Sequence, residues 1–429
     1  MTKTLNARMT LLCTSILMGS VLLGAVSSSA AAAPVTITYW QYDYASKVTE
    51  MNALIKKFQA ANPDITVKQE NFPYDAYNQK VATSVPTGQG PDVVNMYYGW
   101  LPQYLDSGYL QPLPEKDFPT AQIEASYAPM VKISKANGHY YALPTAVRTL
   151  AVFYNKDLFR QAGITQPPHT WDEFVKDAAK IVKGAPPRFT TLGFGIQPDG
   201  QDYHVLREVL LRQFGGQPYS KDGRTVTYAS DAGVKAMTFY TDMATKQKLG
   251  VPNFFPGNNS YRDAFIAGKV GMIIDGSFAI NTISTAAKFN WGVAPMPVLK
   301  QGGIRANFGS FWVNGITKNA TGDKLAASVK FLKFLTSDET QRDWLKNVGE
   351  IPASRKLAND PALRKDPVVG PFVYSLPFSY STVFVDEAGQ RKAWVDAINT
   401  VLLQGGDPAT AIKKAATDEQ KILDGFYKK

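Results

Sequence analysis

The sequence contains a single cysteine, Cys13, among 429 residues. This cysteine lies inside an apolar run near the N-terminus, so a chain that loses its leader retains none. A disulfide framework, a cysteine-ligated zinc site and a thiol nucleophile are therefore excluded for the mature chain. Its stability must come from buried apolar surface, and the roughly 396 residues after the leader suffice for two lobes of ordinary size.

Histidine is also scarce, and the common catalytic motifs are missing. His139, His169 and His204 stand in unrelated contexts, and no H-E-x-x-H, G-x-S-x-G or Walker A sequence occurs. The stretch "GFGIQPDG" has a misplaced third glycine for a dinucleotide fingerprint, so we predict a loop there. We predict a protein that is not an enzyme, without catalytic residues, metal or cofactor. A pair of carboxylates for glycoside hydrolysis stays open, because the two need not be near each other in the chain.

The first 33 residues resemble an export signal. Lys3 and Arg8 precede the apolar run Leu11 to Val26, and "SSSAAAAP" supplies small residues for cleavage near Ala33. The run is short for a bilayer span. Because Leu12, and not a small residue, precedes Cys13, we expect no lipidation. We predict a cleaved signal peptide over 1–33 and a periplasmic mature protein.

The charge balance does not indicate nucleic-acid binding. The leader carries two basic and no acidic residues, so its removal takes the formal net charge from +10 to +8. The lysines and arginines are scattered along the chain and do not form clusters. We therefore predict a basic exported protein that does not bind nucleic acid.

The mature chain opens with a βαβ pattern. Val35, Ile37 and Tyr39 alternate as in a strand, an apolar helical repeat runs from Val48 to Phe58, and "NPD" separates it from a second strand, Ile65–Gln69. Such a unit implies parallel pairing with a right-handed crossover. Continued alternation of strands and helices predicts an α/β fold.

Helix-end signals recur further along the chain. Thr170 and Glu173 form a capping-box pattern, and Asp407 followed by Pro408 predicts the start of the last helix. No Gly/Ser/Pro-rich linker divides the sequence. If there are two domains, the chain must pass between them through structured segments.

Aromatic residues cluster at predicted strand ends and turns. The clusters are "YWQYDY" (39–44) after the first strand, "MYYGW" (96–100) after the third, "DGSF" (275–278) before a helix and "FGSFW" (308–312) between a glycine turn and a strand, each mixed with polar or glycine residues. Ligands of open α/β sheets bind beyond the carboxyl ends of the strands. Aromatic faces suit the apolar face of a sugar ring, and amides and carboxylates bind its hydroxyls. The clusters predict a binding cleft that needs no reactive group.

The ordered motifs resemble those of a known family. "LIKKFQAANPDITVK", "TGQGPDVVNMYYGWLPQYLDSGYLQPL", "GHYYALPTAVRTLAVFYNKDLF", "FIAGKVGMIIDGSFA" and "FGSFWVNGITKNA" follow in the order seen in sugar-binding proteins of bacterial ABC importers. This is extracellular solute-binding family 1, which includes the maltose-binding type. The resemblance implies a type II periplasmic-binding-protein fold. It has two α/β lobes, each a mostly parallel sheet flanked by helices, and chain crossovers form a hinge between them.

The resemblance also implies lobe boundaries and ligand contacts. The N-terminal lobe would comprise 34–147 and 296–350, and the C-terminal lobe 148–295 and 351–429. Matching motifs residue by residue predicts ligand contacts at Trp40, Gln41, Tyr42, Asp43, Tyr98, Trp100, Arg148, Asp202, Tyr203, Asp275, Gly276, Ser277, Phe278, Gly309, Ser310, Phe311, Trp312 and Arg355. Two positions depart from the family pattern: Phe278 replaces the usual tryptophan, and Ser310 replaces a glycine.

Arg148 is the least expected of these residues, because Val147, Leu150 and Val152 around it favour burial. We predict that Pro144–Thr149 is the first crossover between lobes and that the Arg148 head faces the cleft.

These features predict a monomeric periplasmic receptor that binds a carbohydrate reversibly and delivers it to membrane permease subunits through transient contacts. One alternative is a receptor for an anionic sugar derivative or another charged solute, with Arg148 or Arg355 as an anion clamp. The other is a secreted carbohydrate-active enzyme.

Overall fold

The structure is a computed structural model that describes residues 34–257 and 259–428. The predicted signal peptide lies outside these residues. The strands are β1 (Val35–Tyr42), β2 (Ile65–Phe72), β3 (Val93–Tyr97), β4 (Lys135–Ala136), β5 (His139–Tyr140), β6 (Ala142–Asn155), β7 (Lys183–Ala185), β8 (Arg188–Phe194), β9 (Val270–Gly276), β10 (Trp291–Ala294), β11 (Asn307–Ile316), β12 (Ile351–Pro352) and β13 (Ser379–Tyr380).

The helices alternate with these strands in the first part of the chain and follow one another toward its end. They are α1 (Ala45–Ala61), α2 (Tyr74–Ser84), α3 (Leu101–Asp106), α4 (Thr120–Ser126), α5 (Lys156–Gln161), α6 (Trp171–Ile181), α7 (Leu211–Gln213), α8 (Asp231–Thr245), α9 (Ser260–Ile266), α10 (Ile280–Ala286), α11 (Gly322–Leu335), α12 (Asp338–Val348), α13 (Arg355–Ala358), α14 (Pro361–Lys365), α15 (Gly370–Ser375), α16 (Glu387–Gln404) and α17 (Pro408–Tyr427). Within the described ranges, no helix combines the length and apolarity needed to cross a bilayer.

The predicted βαβ unit is confirmed. β1 and β2 run parallel with Val35 opposite Ile65, and β3 joins the other edge of β1, also in parallel. The apolar positions Met51, Leu54 and Phe58 of α1 are buried against this part of the sheet. Parallel pairing directs the ends of β1 and β3 to the same edge, where a ligand can reach them.

The main sheet is mixed. Its strands lie in the order β2-β1-β3-β11-β6-β9-β8-β7. Parallel pairs join β1 to β2 and β3, and β8 to β9, whereas β11 and β6 pair antiparallel with β3, with each other and with β9. The two antiparallel strands at the centre therefore connect the parallel groups on either side.

β6 changes its neighbours part-way along its length. On one edge it pairs with β11 up to Thr149 and then with β10 from Val152. On the other edge β12 lies beside Ala146 and Val147, and β9 begins at Leu150. The exchange falls between Thr149 and Leu150, close to the boundary that the sequence predicts between lobes, although the lobe boundaries themselves stay a prediction.

The local helix signals are confirmed. The Thr170 hydroxyl accepts the Glu173 backbone N–H, and the Glu173 carboxylate accepts the Thr170 backbone N–H, which completes the capping box. Asp407 caps α17 with Pro408 at its first position. Gly349 ends α12 with φ of 87°, a left-handed conformation that glycine adopts without steric cost.

A buried ion pair holds the C-terminal helices to the rest of the fold. The Glu419 carboxylate on α17 accepts hydrogen bonds from Arg207 (2.7 Å), Tyr228 (2.8 Å), Gln390 (2.8 Å) and Trp394 (3.1 Å). Both Arg207 and Glu419 are fully buried. Removing one charge of such a pair leaves the other without compensation.

We therefore predict that Glu419→Gln lowers the free energy of unfolding by about 3–5 kcal/mol, because the Arg207 charge is left unpaired in the interior. Asp418→Asn is the matched control on the same helix. The Asp418 side chain is 36% exposed and pairs with Lys414 and Lys421 at the surface, so its loss should cost at most about 1 kcal/mol. Equal losses in urea denaturation of the two variants would contradict a structural role for the buried pair.

Candidate functional site

A cavity of about 480 Å³ opens at the carboxyl ends of β1 and β3, beside the centre of β6 and β11. Its wall includes side chains from these strands, from the first turns of α2, α9 and α16, and from the segment 199–204. Other cavities of similar volume lie elsewhere on the chain. This one is distinguished by its aromatic lining and by three arginines that have carboxylate partners.

Aromatic rings form one wall of the cavity. Tyr42 stacks on Trp312 with ring centroids 3.9 Å apart and planes at 22°. Tyr74 meets Tyr42 edge-on at 5.8 Å, and Tyr97 lies 6.0 Å from Trp312. Tyr42 and Trp312 cover one face of each other and are 6% and 7% exposed, so Tyr74, which is 42% exposed, presents the most accessible ring surface. Such a wall suits a ligand that is apolar on one side and polar on the other.

Strand alternation on β11 decides which of its residues reach the cavity. Phe308, Ser310 and Trp312 line it, whereas Phe311 points to the opposite face and stacks on Tyr98 at 4.9 Å. A β-bulge adds one residue of β6 opposite Trp312. Bulges bend a strand and redirect a side chain, and this one lies at the residue that stacks on Tyr42.

Arg148 projects from β6 into the cavity wall and is paired from behind. Its Nε donates to Glu350, whose carboxylate also accepts Lys47 Nζ at 2.9 Å and Trp344 Nε1 at 2.8 Å. The Arg148 side chain is 14% exposed, and those of Glu350 and Lys47 are 4% and 3% exposed. The Arg148 guanidinium also lies 4.9 Å from the centroid of the Phe278 ring. The charge that looked misplaced in the sequence is therefore compensated inside the chain.

The buried pairing sets the ionisation of these groups. Burial alone would raise the pKa of the Glu350 carboxyl, but the charges of Arg148 and Lys47 outweigh it and hold the pKa at about 2. Burial, assisted by the Arg148 charge, lowers the pKa of Lys47 to about 8 despite Glu350. Near neutral pH the cluster thus contains two cations and one carboxylate.

The other two arginines of the cavity are also paired. Arg262 on α9 binds Asp275 with two hydrogen bonds of 2.7 and 3.1 Å, and Asp275 is fully buried. Arg391 lies 3.5 Å from Glu387 one turn away on α16. Asp43 and Asp199 are exposed carboxylates in the same lining. The wall therefore offers many hydrogen-bonding groups but no excess of positive charge.

A buried polar corner closes the cavity beside α16. Asp202 accepts the Gln197 backbone N–H at 2.6 Å and the Tyr240 hydroxyl at 2.5 Å, and burial raises its pKa to about 7. The next two residues, Tyr203 and His204, line the cavity, and the His204 ring stacks on Phe308 with centroids 3.6 Å apart. Asp202 thus supports the corner from behind the lining.

The structure brings together some of the predicted contacts and places others elsewhere. Those that line the cavity are Tyr42, Asp43, Arg148, Tyr203, Phe278, Ser310 and Trp312. Those outside its lining are Trp40, Gln41, Tyr98, Trp100, Asp202, Asp275, Gly276, Ser277, Gly309, Phe311 and Arg355. Asp275 is engaged by Arg262, and exposed Arg355 donates to the Tyr127 carbonyl beside a separate, smaller pocket. Ligand contact by any of these residues remains a prediction.

The cavity also contains residues that the sequence reasoning missed, namely Tyr44, Tyr74, Tyr97, Asp199, Gly200, Gln201, His204, Asn259, Tyr261, Arg262, Phe308, Glu387 and Arg391. Alternate residues of a strand face the same side, so the predicted contacts Trp312 and Ser310 also predict that Phe308 faces the cavity. Tyr97 stands one position before the predicted Tyr98. Glu387 and Arg391 carried no signal, because the position of α16 beside the strand ends depends on tertiary packing.

The side chains present can bind and orient a polar ligand. Across the described ranges, no group of three or more His, Cys, Asp or Glu residues is arranged to hold a metal ion. The lining instead combines aromatic rings, paired arginines and carboxylates that can donate and accept hydrogen bonds.

Comparison with known proteins identifies the family. The sequence profile for bacterial extracellular solute-binding proteins matches residues 44–342. The chain belongs to this family. Its fold is the type II periplasmic-binding-protein fold, mixed α/β, as the sequence resemblance predicts.

Individual relatives cover most of the chain. The maltotriose-binding protein of Pyrococcus abyssi is 25% identical over 80% of this chain and 72% of its own length. The sn-glycerol-3-phosphate-binding periplasmic protein of Salmonella typhimurium is 25% identical over 75% of each chain. The GacH receptor of Streptomyces glaucescens, solved unliganded and with acarbose, matches with a TM-score of 0.78, 24% identity, and 92% and 99% coverage of the two chains. These three proteins thus resemble this chain over three quarters or more of its length.

We predict that Glu350→Gln lowers the free energy of unfolding by about 3–5 kcal/mol at pH 7, because Lys47 and Arg148 lose their carboxylate partner. The folded-state pKa of about 2 is below the ordinary 4.5, so the stabilisation is present above about pH 4.5 and disappears as pH falls through about 2. The difference between wild type and variant should therefore shrink in acid.

Denaturation of both proteins between pH 7 and pH 3 tests this expectation. Glu339→Gln is the control, because the Glu339 side chain is 72% exposed and pairs with Lys57 only at the surface. A constant difference between wild type and Glu350→Gln across this pH range would contradict the ionisation assigned to Glu350.

Proposed function

We propose that this protein is the periplasmic substrate-binding component of an ABC importer, and that it binds a neutral carbohydrate in the 480 Å³ cavity and delivers it to membrane permease subunits. The observation that carries the proposal is the joint presence of stacked aromatic rings and arginines with carboxylate partners in one cavity at the strand ends. Family membership supports the transport role, and no bond is made or broken.

The aromatic wall supports a sugar ligand. Pyranose rings have an apolar C–H face that packs on Tyr or Trp, while their hydroxyls bond to side chains at the rim. Tyr42, Tyr74 and Trp312 provide the rings. Asp43, Asp199 and Gln201 provide hydrogen-bonding groups in the same lining.

The charges favour a neutral ligand over an anionic one. Arg148 is paired with Glu350, Arg262 with Asp275, and Arg391 with Glu387. An anion clamp needs a guanidinium whose charge is free to meet the ligand. Asp43 and Asp199 add negative charge to the lining, so a phosphate or carboxylate group would be repelled. The alternative with Arg355 as clamp is disfavoured, because that exposed residue lies beside another pocket.

The proposed mechanism is reversible closure. Two lobes would rotate about the segments of β6 and β11 near Thr149 and Gly309, where β6 exchanges partners. Closure would bury the ligand between the aromatic wall and the corner formed by Tyr203 and His204. The closed shape would then be the one that the permease recognises.

A thermal-shift screen of the mature protein tests the ligand class. A sugar present at 100 times its dissociation constant should stabilise the protein by about 2.7 kcal/mol and raise the melting temperature. The panel includes neutral mono- and oligosaccharides such as maltotriose, their acidic derivatives, and sn-glycerol 3-phosphate. We expect a response only to neutral sugars. A response confined to the anionic compounds would contradict the proposal.

The contribution of the aromatic wall is tested by Tyr74→Ala. Tyr74 is 42% exposed at the start of α2, so its removal should not disturb the core. We expect binding of the best neutral sugar to weaken about three- to tenfold, from the loss of one aromatic contact. Tyr374→Ala is the matched control, because Tyr374 is 46% exposed and lies outside this cavity. Equal affinities of the two variants in calorimetric titration would remove Tyr74 from the site.

A further inference from the structure

We infer that His204 determines ligand specificity by forming a hydrogen bond with a sugar hydroxyl through the edge of its imidazole ring. This inference rests on the proposed function, because it assigns a role within the same cavity. The sequence motifs did not indicate this residue, and its assignment depends on three independent features of its surroundings.

The first feature is how the ring is held. The imidazole stacks on Phe308 with centroids 3.6 Å apart and planes at 11°, and it lies against Tyr203 at 3.8 Å and 35°. Aromatic rings therefore cover both of its faces. Because His204 nevertheless lines the cavity, the part of the imidazole that it offers to a ligand is the ring edge, where the nitrogen atoms lie.

The second feature is an unused polar atom. His204 is 5% exposed, and its Nδ1 has no hydrogen-bond partner among residues 34–257 and 259–428. Buried polar groups of folded proteins are normally paired, so an unpaired nitrogen on a residue that lines the cavity is a candidate position for a hydrogen bond to a ligand. Asp202, two positions earlier, by contrast accepts hydrogen bonds from the Tyr240 hydroxyl and the Gln197 backbone N–H.

The third feature is the charge around the ring. Burial lowers the pKa of His204 well below its usual value, and the positive charges of Arg207 and Arg391 lower it further. Arg207 lies in the helical segment Val205–Leu210, which begins directly after His204. Arg391 lies on α16, where Glu387 is its partner. The imidazole therefore stays neutral near pH 7 and carries one donor and one acceptor, the two functions that a hydroxyl group can match.

A neutral hydrogen-bonding edge discriminates among sugars. A pocket that bonds a particular hydroxyl rejects the analogue that lacks it, because the buried polar atom is then left unpaired. His204 should thus distinguish a sugar from its deoxy derivative at one position. The stacking partners hold the ring rigidly enough for that selection.

The test compares His204→Phe with wild type, using the neutral sugar that gives the largest shift in the screen. Phenylalanine preserves a flat ring for stacking on Phe308 and Tyr203 but has no nitrogen. We expect about five- to tenfold weaker binding, the loss of one hydrogen bond to a neutral group. His204→Gln, which restores a donor and an acceptor, should recover part of the affinity. His139→Phe is the control, since His139 is exposed on β5 outside the cavity.

Deoxy analogues of the same sugar then identify the contact. Removal of the hydroxyl that meets His204 should weaken binding to wild type and leave binding to His204→Phe unchanged, whereas other deoxygenations should weaken both proteins equally. In the unliganded protein, nitrogen chemical shifts should show that the His204 ring is neutral at pH 7, because burial and the nearby arginines lower its pKa.

The outcomes separate the two proposals. If no sugar stabilises wild type, the proposed function is wrong, and this inference fails with it. If wild type binds a sugar and His204→Phe binds it equally well, the inference alone is wrong. A His204 ring that is protonated at pH 7 in the unliganded protein would also overturn it, because the ring would then have no acceptor nitrogen for the ligand.

Discussion

The buried cluster of Arg148, Glu350 and Lys47 is the interaction on which the site depends. It joins the centre of β6 to the turn before β12 and to the first helix of the fold. Because the carboxylate meets two cations in the interior, its own ionisation is secured and Arg148 is held at the cavity wall. Glu350 offsets the charge of Arg148 at the cavity wall, and the Lys47 charge lies buried behind it. One local electrostatic arrangement thus stabilises the position where β6 changes neighbours and supports the proposal of a neutral ligand.

The other arginines of the cavity are also paired with carboxylates. Arg262 and Arg391 also have carboxylate partners, so the guanidinium groups present planar hydrogen-bond donors without a net positive field. Aromatic rings from β1, α2, β3 and β11 supply the apolar surface. A surface of this kind matches a neutral polyol, which has apolar faces and many hydroxyls but no charge to neutralise. Family membership is consistent with this assignment but does not by itself choose among ligands.

Local sequence signals predicted much of the fold. The alternation at Val35, Ile37 and Tyr39, the capping box at Thr170 and the N-cap at Asp407 each reflect interactions within a few residues, and the structure has all of them. The site was harder to predict, because it depends on registers and on contacts between distant segments. Tyr97 lines the cavity, whereas the predicted contact Tyr98, one position later, does not. Phe311 lies on the opposite face of β11 from Trp312. The pairing of Arg148 with Glu350, 202 positions away, has no local signal at all.

The salt dependence of ligand binding tests the central claim most directly. The measurement is the dissociation constant of the best-binding ligand by calorimetry between about 0.01 and 1 M sodium chloride, over which the Debye length falls from about 30 to about 3 Å. Compensated arginines and a neutral sugar predict a dissociation constant that hardly changes across this range. A dissociation constant that rises steeply with salt would show that an unpaired positive charge attracts the ligand, and it would contradict the account.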